Sequence, residues 1–245
     1  MINNAKEKLD RRESVTGIWS IIPSPTVSEI LASAKLDFII LDMEHGPFDM
    51  SIMAECIRAS AGTNCSPLVR IPYVEPSIIQ RVLDMGAHGI VAPQIRTKAD
   101  AEHLVSCCRF SPSGIRGYNP YTRAGDFLSN HSSPYLAERF PLITVIIENS
   151  EAYQNLDDLL GVEGIDAYYL GIYDMSCAFG TRGDLTSSKM NAFVADASAR
   201  ISTAGKVIGK MVDRRPVPGD ADDATYFYVL QPDTYQLKKS ILDRL

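Results

Sequence analysis

Two acidic side chains each directly follow an apolar run: Glu148 after Ile143-Thr144-Val145-Ile146-Ile147, and Asp174 after Ala167–Tyr173. Either carboxylate alone would serve as a helix cap or an ion-pair partner. Two of them on neighbouring strand ends repel in a low-dielectric site. A hard divalent ion such as Mg2+ or Mn2+ removes that repulsion, because it takes oxygen ligands and leaves positions for substrate and water. His45 lies between Glu44 and a Gly46-Pro47 turn. A neutral imidazole there can accept and return a proton near neutral pH; capping of the turn is the structural alternative. Arg70 stands inside the otherwise apolar Leu68-Val69-Arg70-Ile71-Pro72 and needs an anionic partner, since an unpaired buried charge is costly. A structural carboxylate is one such partner. A substrate carboxylate or phosphate gripped at two points is the other. Asp84 falls in the last turn of a helix, where the macrodipole disfavours an anion; a protonatable histidine or solvent would compensate it. Together these groups suit enolate chemistry, in which a cation and Arg70 stabilise negative charge developing on oxygen while a base moves a proton.

Composition narrows the classes of function. The chain has 245 residues, 45% of them hydrophobic and 22% charged, an ordinary globular balance. The net charge is −6, and Lys and Arg are scattered in runs no longer than two, which argues against a nucleic-acid or anionic-membrane partner. No apolar run approaches the roughly 20 residues of a membrane helix, and the first residues lack an apolar signal core, so a cytoplasmic protein is expected. Five cysteines without a Cys-x-x-Cys pair point to inert reduced thiols rather than disulfides or thiolate zinc.

The elements that must position these groups alternate. Strands are expected at Gly17–Ile22, Asp37–Leu41, Pro67–Val74, Gly89–Ile95, Leu142–Ile147, Ala167–Tyr173, Val207–Val212 and Tyr226–Leu230. Between them run helix-period segments: one opening at Ser24-Pro25, one capped by Asp49, an Ile78–Met85 stripe stopped by Gly86, one opened by a Thr97-x-x-Asp100 capping box, 151–160, and a long helix stopped by Gly205. A short helix from Thr234 follows the last strand. Eight strands separated by helices within this length favour one (β/α)8 barrel domain over 1–245, with a shortened C-terminal part, since Asp213–Ala224 is short and Pro-rich. No Gly-rich phosphate loop follows any strand. Residues 111–140 form a long excursion that carries Arg116, Tyr118, Tyr121 and Arg123, and such loops are usually functional.

The motifs Leu41-Asp42-Met43-Glu44-His45-Gly46-Pro47, Val69-Arg70-Ile71-Pro72, Leu83-Asp84-Met85-Gly86-Ala87, Pro112 to Gly117, Ile147-Glu148 and Gly171-Ile172-Tyr173-Asp174-Met175-Ser176 resemble the metal-dependent pyruvate aldolases of the HpcH/HpaI aldolase/citrate lyase family. That resemblance implies a (β/α)8 barrel that cleaves 4-hydroxy-2-oxo acids to pyruvate and an aldehyde. It implies that Glu148 and Asp174 ligate a divalent ion (Mg2+, Mn2+ or Co2+), and that Arg70 binds the keto oxygen. It further implies that His45, paired with Asp84, is the acid and base, and that Asp42 supports metal-bound waters. Gly171, Tyr173, Ser176 and Arg116 are the further substrate contacts it suggests. It also implies a homo-oligomer (dimer, trimer or hexamer), with the last helix exchanged between subunits. The chain departs from the pattern at Ile146, where the family carries Gln, at Ile172, where it carries Pro, at the bulky Tyr173 beside Asp174, and around Lys210.

Two other readings compete. A lysine on a barrel strand, Lys210, would suit a Schiff-base aldolase. A catalytically weak barrel kept as a binding or assembly module would explain Tyr173 and the shortened C-terminus, although the acidic ligands and His45 are all retained. An acyl-CoA lyase ranks lower, as no basic patch for CoA phosphates is evident.

Overall fold

The computed structural model describes residues 3–60, 62–128, 141–216, 224 and 226–245. Eight parallel strands close into a barrel in sequence order: β1 (Val15–Ser20), β2 (Phe38–Asp42), β3 (Ser66–Arg70), β4 (Gly89–Ala92), β5 (Leu142–Ile147), β6 (Ala167–Leu170), β7 (Val207–Val212) and β8 (Tyr226–Leu230). Strand β1 pairs with β8 to complete the ring. This is the α/β, (β/α)8 architecture expected from the alternation.

The local signals explain most helices. Ser24 caps α2 (Pro25–Ser33), whose first turn holds a proline. Asp49 accepts from the Ser51 and Ile52 N–H groups at the start of α3 (Met50–Ala59). Helix α4 (Pro76–Asp84) is capped by Glu75, and α5 (Lys98–Cys108) by the reciprocal Thr97–Asp100 box. The 151–160 segment is two short helices, α6 (Ser150–Gln154) and α7 (Leu156–Leu160), separated by Asn155. The sixth strand ends at Leu170, earlier than expected, because helix α8 (Ile172–Ala178) begins immediately after Gly171. Helix α9 (Ser188–Thr203) ends before Gly205, which has φ +67°. Helix α10 (Asp233–Leu242) is tied to β1 by Asp233, whose carboxylate accepts from Ser20 Oγ and the Ile21 and Ile22 N–H groups.

Besides α8, one more helix is not signalled by apolar periodicity. Helix α1 (Asn4–Asp10) crosses the amino end of the barrel, burying Ala5 and Leu9 against Val15 and Phe38. Its polar face is anchored by Lys6 to Asp166 and by Lys8 to Asp37, at 2.5 and 2.6 Å. The expected shortening between β7 and β8 falls largely on residues outside those described.

Strand alternation sorts the core. Inward-facing Val15, Trp19, Phe38, Ile40, Leu68, Val91, Leu142, Ile146, Tyr169 and Val229 fill the barrel, and outward-facing residues such as Ile39, Val69, Ile90, Val145 and Ile208 pack against the helices. Gly17 is required where Phe38 stacks on Phe227 at 4.0 Å, because a Cβ there would sit 2.2 Å from the Phe38 ring.

Candidate active site

The inward parity that fills the barrel with apolar groups continues to its carboxyl end, where the residues become polar. Phe38 and Ile40 are followed by Asp42, Leu68 by Arg70, and Leu142 and Ile146 by Glu148. Asp42, Arg70, Ile146 and Glu148, with Trp19, Tyr169, Gly171, Tyr173, Asp174, Met211 and Gln231, line a cavity of about 450 Å3 that also takes in His45. The carboxyl ends of barrel strands are where catalytic groups of this architecture gather.

Asp42 and Arg70 occupy paired register positions on β2 and β3. Arg70 Nε donates to Asp42 Oδ1 at 2.9 Å, and a second guanidinium nitrogen donates to Oδ2. The same Oδ1 accepts from the Glu44 and His45 N–H groups, at 3.0 and 3.1 Å, and so fixes the turn that carries His45. Arg70 lies 4.5 Å over the Trp19 ring, and Trp19 Nε1 donates to Tyr169 Oη at 3.2 Å. Arg70 Nη1 is 3.2 Å from Glu44 Oε2, outside hydrogen-bond geometry, so that buried oxygen has no hydrogen bond. Asp42 thus supplies the structural carboxylate that an arginine in a strand requires.

Glu148 is 3% exposed. Its Oε1 accepts from the Gln94 main-chain N–H at 2.7 Å and from Gln94 Nε2 at 3.0 Å. Burial pushes its pKa up to about 7; the Gln94 N–H opposes this, while the charges of Asp174 and Glu44 add to it. Burial likewise raises Glu44, against the pull of Arg70. Asp174 is exposed and belongs to the first turn of α8 rather than to a strand end. Gly171 is the residue that lets Glu148 pack here, since a Cβ would lie 2.5 Å from Glu148 Cβ and 2.8 Å from Ile146 Cγ2.

These donors suit part of the shell of a hard divalent ion. Glu148 and Asp174 border one cavity, and the charges of Asp174 and Glu44 both raise the cost of ionising Glu148. Among the described residues, no three His, Cys, Asp or Glu side chains are grouped closely enough to cage an ion alone. An ion held here by Glu148 and Asp174 would need substrate or water oxygens to complete its shell.

Several expected contacts are not made. Asp84, at the end of α4, is separated from β4 only by Met85–His88, and so lies at the amino end of the barrel. His45 follows β2 at the carboxyl end. Asp84 instead accepts from Arg116 at 2.7 Å, so the anion in the last turn of α4 is compensated by a guanidinium and not by His45 of the same chain. Arg116 is buried and stacks over Phe110, away from the cavity. The described part of the 111–140 excursion joins α5 to β5, and a helix-to-strand connection belongs to the amino end; within one chain it does not border the site. Ser176 is buried, donates to the Tyr173 carbonyl and accepts from the Gly183 N–H, so it braces α8 and does not line the cavity. Lys210 has the outward parity of Ile208 and places Nζ 4.1 Å over the Tyr226 ring. It does not reach the cavity, which removes the ground for a Schiff base there. Tyr173 borders the mouth at 52% exposure. Gln94, Trp19 and Tyr169 escaped sequence reading; inward parity would have found the last two.

A family model described as HpcH/HpaI aldolase/citrate lyase matches residues 15–227. The 5-keto-4-deoxy-D-glucarate aldolase of Escherichia coli O139:H28 is 33% identical over 221 residues, 89% of this chain and 84% of that one. A solved HpcH/HpaI aldolase/citrate lyase family protein from Burkholderia cenocepacia J2315 superposes with a TM-score of 0.90 at 28% identity, covering 99% of this chain and 98% of that one. The citrate synthase SbnG superposes at 0.86 with 26% identity, over 99% and 96% of the two chains.

Proposed function

Since this chain belongs to the HpcH/HpaI aldolase/citrate lyase family, we propose that its cavity is the active site of a divalent-metal-dependent aldolase. It would cleave a 4-hydroxy-2-oxo acid to pyruvate and an aldehyde, and add pyruvate to an aldehyde in reverse. The observation that carries this reading is Glu148: a desolvated carboxylate beside Asp174 and Glu44, in the same cavity as Arg70 and His45. Glu148 and Asp174 would hold the ion, which when bound supplies a Lewis acid for the carboxylate and keto oxygens of the 2-oxo acid.

The chain's own groups account for the remaining steps. Arg70, oriented by Asp42, keeps guanidinium donors beyond the two given to that carboxylate and directs them at the oxygen where charge develops. Trp19, Tyr169 and Ile146 wall off water beneath it. His45, on the rim, takes the proton of the C4 hydroxyl, directly or through one water, as the C3–C4 bond breaks. The electron pair of that bond passes to the enolate of pyruvate, and protonation of its carbon gives the methyl group.

Apolar side chains of α10 remain exposed, Leu237, Ile241 and Leu242 among them, which supports a homo-oligomer in which this helix is covered. Asp84 would approach a His45 only from another copy. No described helix is long and apolar enough to cross a membrane.

The test is proton exchange at the methyl group of pyruvate, followed by NMR in D2O. Exchange is expected with Mn2+ or Mg2+ and should vanish with EDTA. Absence of both metal uptake and exchange in a pure sample overturns the reading.

A further inference from the structure

We propose that Gln94 is a positioning residue that holds and orients Glu148, so that one carboxylate oxygen is fixed and the other is left for the cavity. This deepens, and rests on, the reading of Glu148 as half of a cation site. Gln94 offers two donors to one oxygen, the main-chain N–H at 2.7 Å and Nε2 at 3.0 Å. Among the described residues nothing else hydrogen-bonds Glu148, and Oε2 accepts no bond. Its neighbour on the inward face, Ile146, has no donor to offer, and both donors come from the end of the adjacent strand.

The backbone points the same way. Gln94 has φ +55°, a left-handed conformation uncommon for residues other than Gly. The turn after β4 takes that form with both N–H groups of Gln94 turned onto Glu148. Arg96 Nη2 approaches Gln94 Oε1 at 3.5 Å, which favours the amide orientation with Nε2 toward the carboxylate. A partner that orients a metal-binding carboxylate affects affinity without touching the ion: such partners typically change it 10–100-fold.

Two variants separate the amide from the backbone. Gln94→Leu removes both polar atoms of the side chain at similar volume. Gln94→Gly also removes the amide but relaxes the left-handed backbone and keeps the N–H. Mn2+ affinity is measured by titration calorimetry, and stability of the metal-free protein by urea denaturation, each also in a Glu148→Ala background. Both variants should weaken Mn2+ binding about 10–100-fold, and Gln94→Leu should lower the urea midpoint only when Glu148 is present. Mn2+ affinity unchanged in both variants, or a urea shift of equal size with and without Glu148, overturns the inference. If the wild-type protein takes up no Mn2+, the cation reading fails instead. The urea comparison then decides on its own whether Gln94 holds Glu148.

Discussion

Arg70 and Asp42 end their strands as register partners and are joined at two points, with the Trp19 ring beneath the guanidinium. The pair is almost fully buried, and Asp42 is also the acceptor that shapes the turn to His45. One carboxylate therefore fixes both the guanidinium of the site and the turn that carries His45.

Removing that carboxylate leaves a buried guanidinium without its main partner. Asp42→Ala is expected to cost about 3–5 kcal/mol in urea denaturation, and activity should fall with it. Arg70→Lys keeps the charge but cannot hold Asp42 at two points. It should cost less stability yet reduce kcat at least tenfold, which steady-state kinetics on folded protein would read.

The raised pKa of Glu148 gives a pH dependence with a definite sign. Its folded value of about 7 exceeds its ordinary value of 4.5, so the folded protein binds the extra proton between those limits. The corresponding stability is present below about pH 4.5 and is lost as pH rises through 7. In metal-free protein the urea midpoint should fall from pH 5 to pH 8, by up to about 3 kcal/mol in stability, and Glu148→Gln should flatten that slope. Cation binding runs the opposite way: below pH 7 each unit of pH should weaken Mn2+ affinity about tenfold as Glu148 takes up a proton.

Gly171 tests how closely the site is packed. A methyl group there meets Glu148 and Ile146 at 2.5 and 2.8 Å. Gly171→Ala should cost about 1–3 kcal/mol and weaken Mn2+ binding by displacing Glu148. A variant with unchanged affinity would show that the carboxylate tolerates the shift.

Asp84 and His45 occupy opposite ends of the barrel, so any exchange between them runs between copies. Pure Asp84→Ala and pure His45→Ala samples should each be weak in aldol cleavage. Mixed after partial denaturation and refolded together, they should regain measurable turnover, because some assembled sites then contain both groups intact. No recovery on mixing would separate Asp84 from the chemistry.

The barrel was legible because each strand is a short apolar run bounded by a cap or a glycine, and such runs alternate with helical stripes. Asp42, Arg70 and Glu148 were legible as polar residues closing apolar strands; parity then dictates that they converge. Asp174 reads as a strand end because Ile172 and Tyr173 extend the apolar run, whereas Gly171 stops the strand and opens α8. Motif draws Arg116 and Asp84 toward the site, although the end of a helix and its connection to the next strand belong to the other end of the barrel. Helix α1 was missed because its two buried residues, Ala5 and Leu9, are too few to make a stripe. Gln94 was missed because its contribution depends on a left-handed turn and a main-chain N–H, neither of which residue type reveals.

The position of α1 has a bearing on the order of events. With the amino mouth stoppered and aliphatic and aromatic layers filling the barrel above it, the cavity opens at the carboxyl end, where Tyr173 and His45 border it. The fragment held nearest Glu148 and Arg70 sits deepest, so the aldehyde should depart first and pyruvate last, giving product-inhibition patterns of an ordered release.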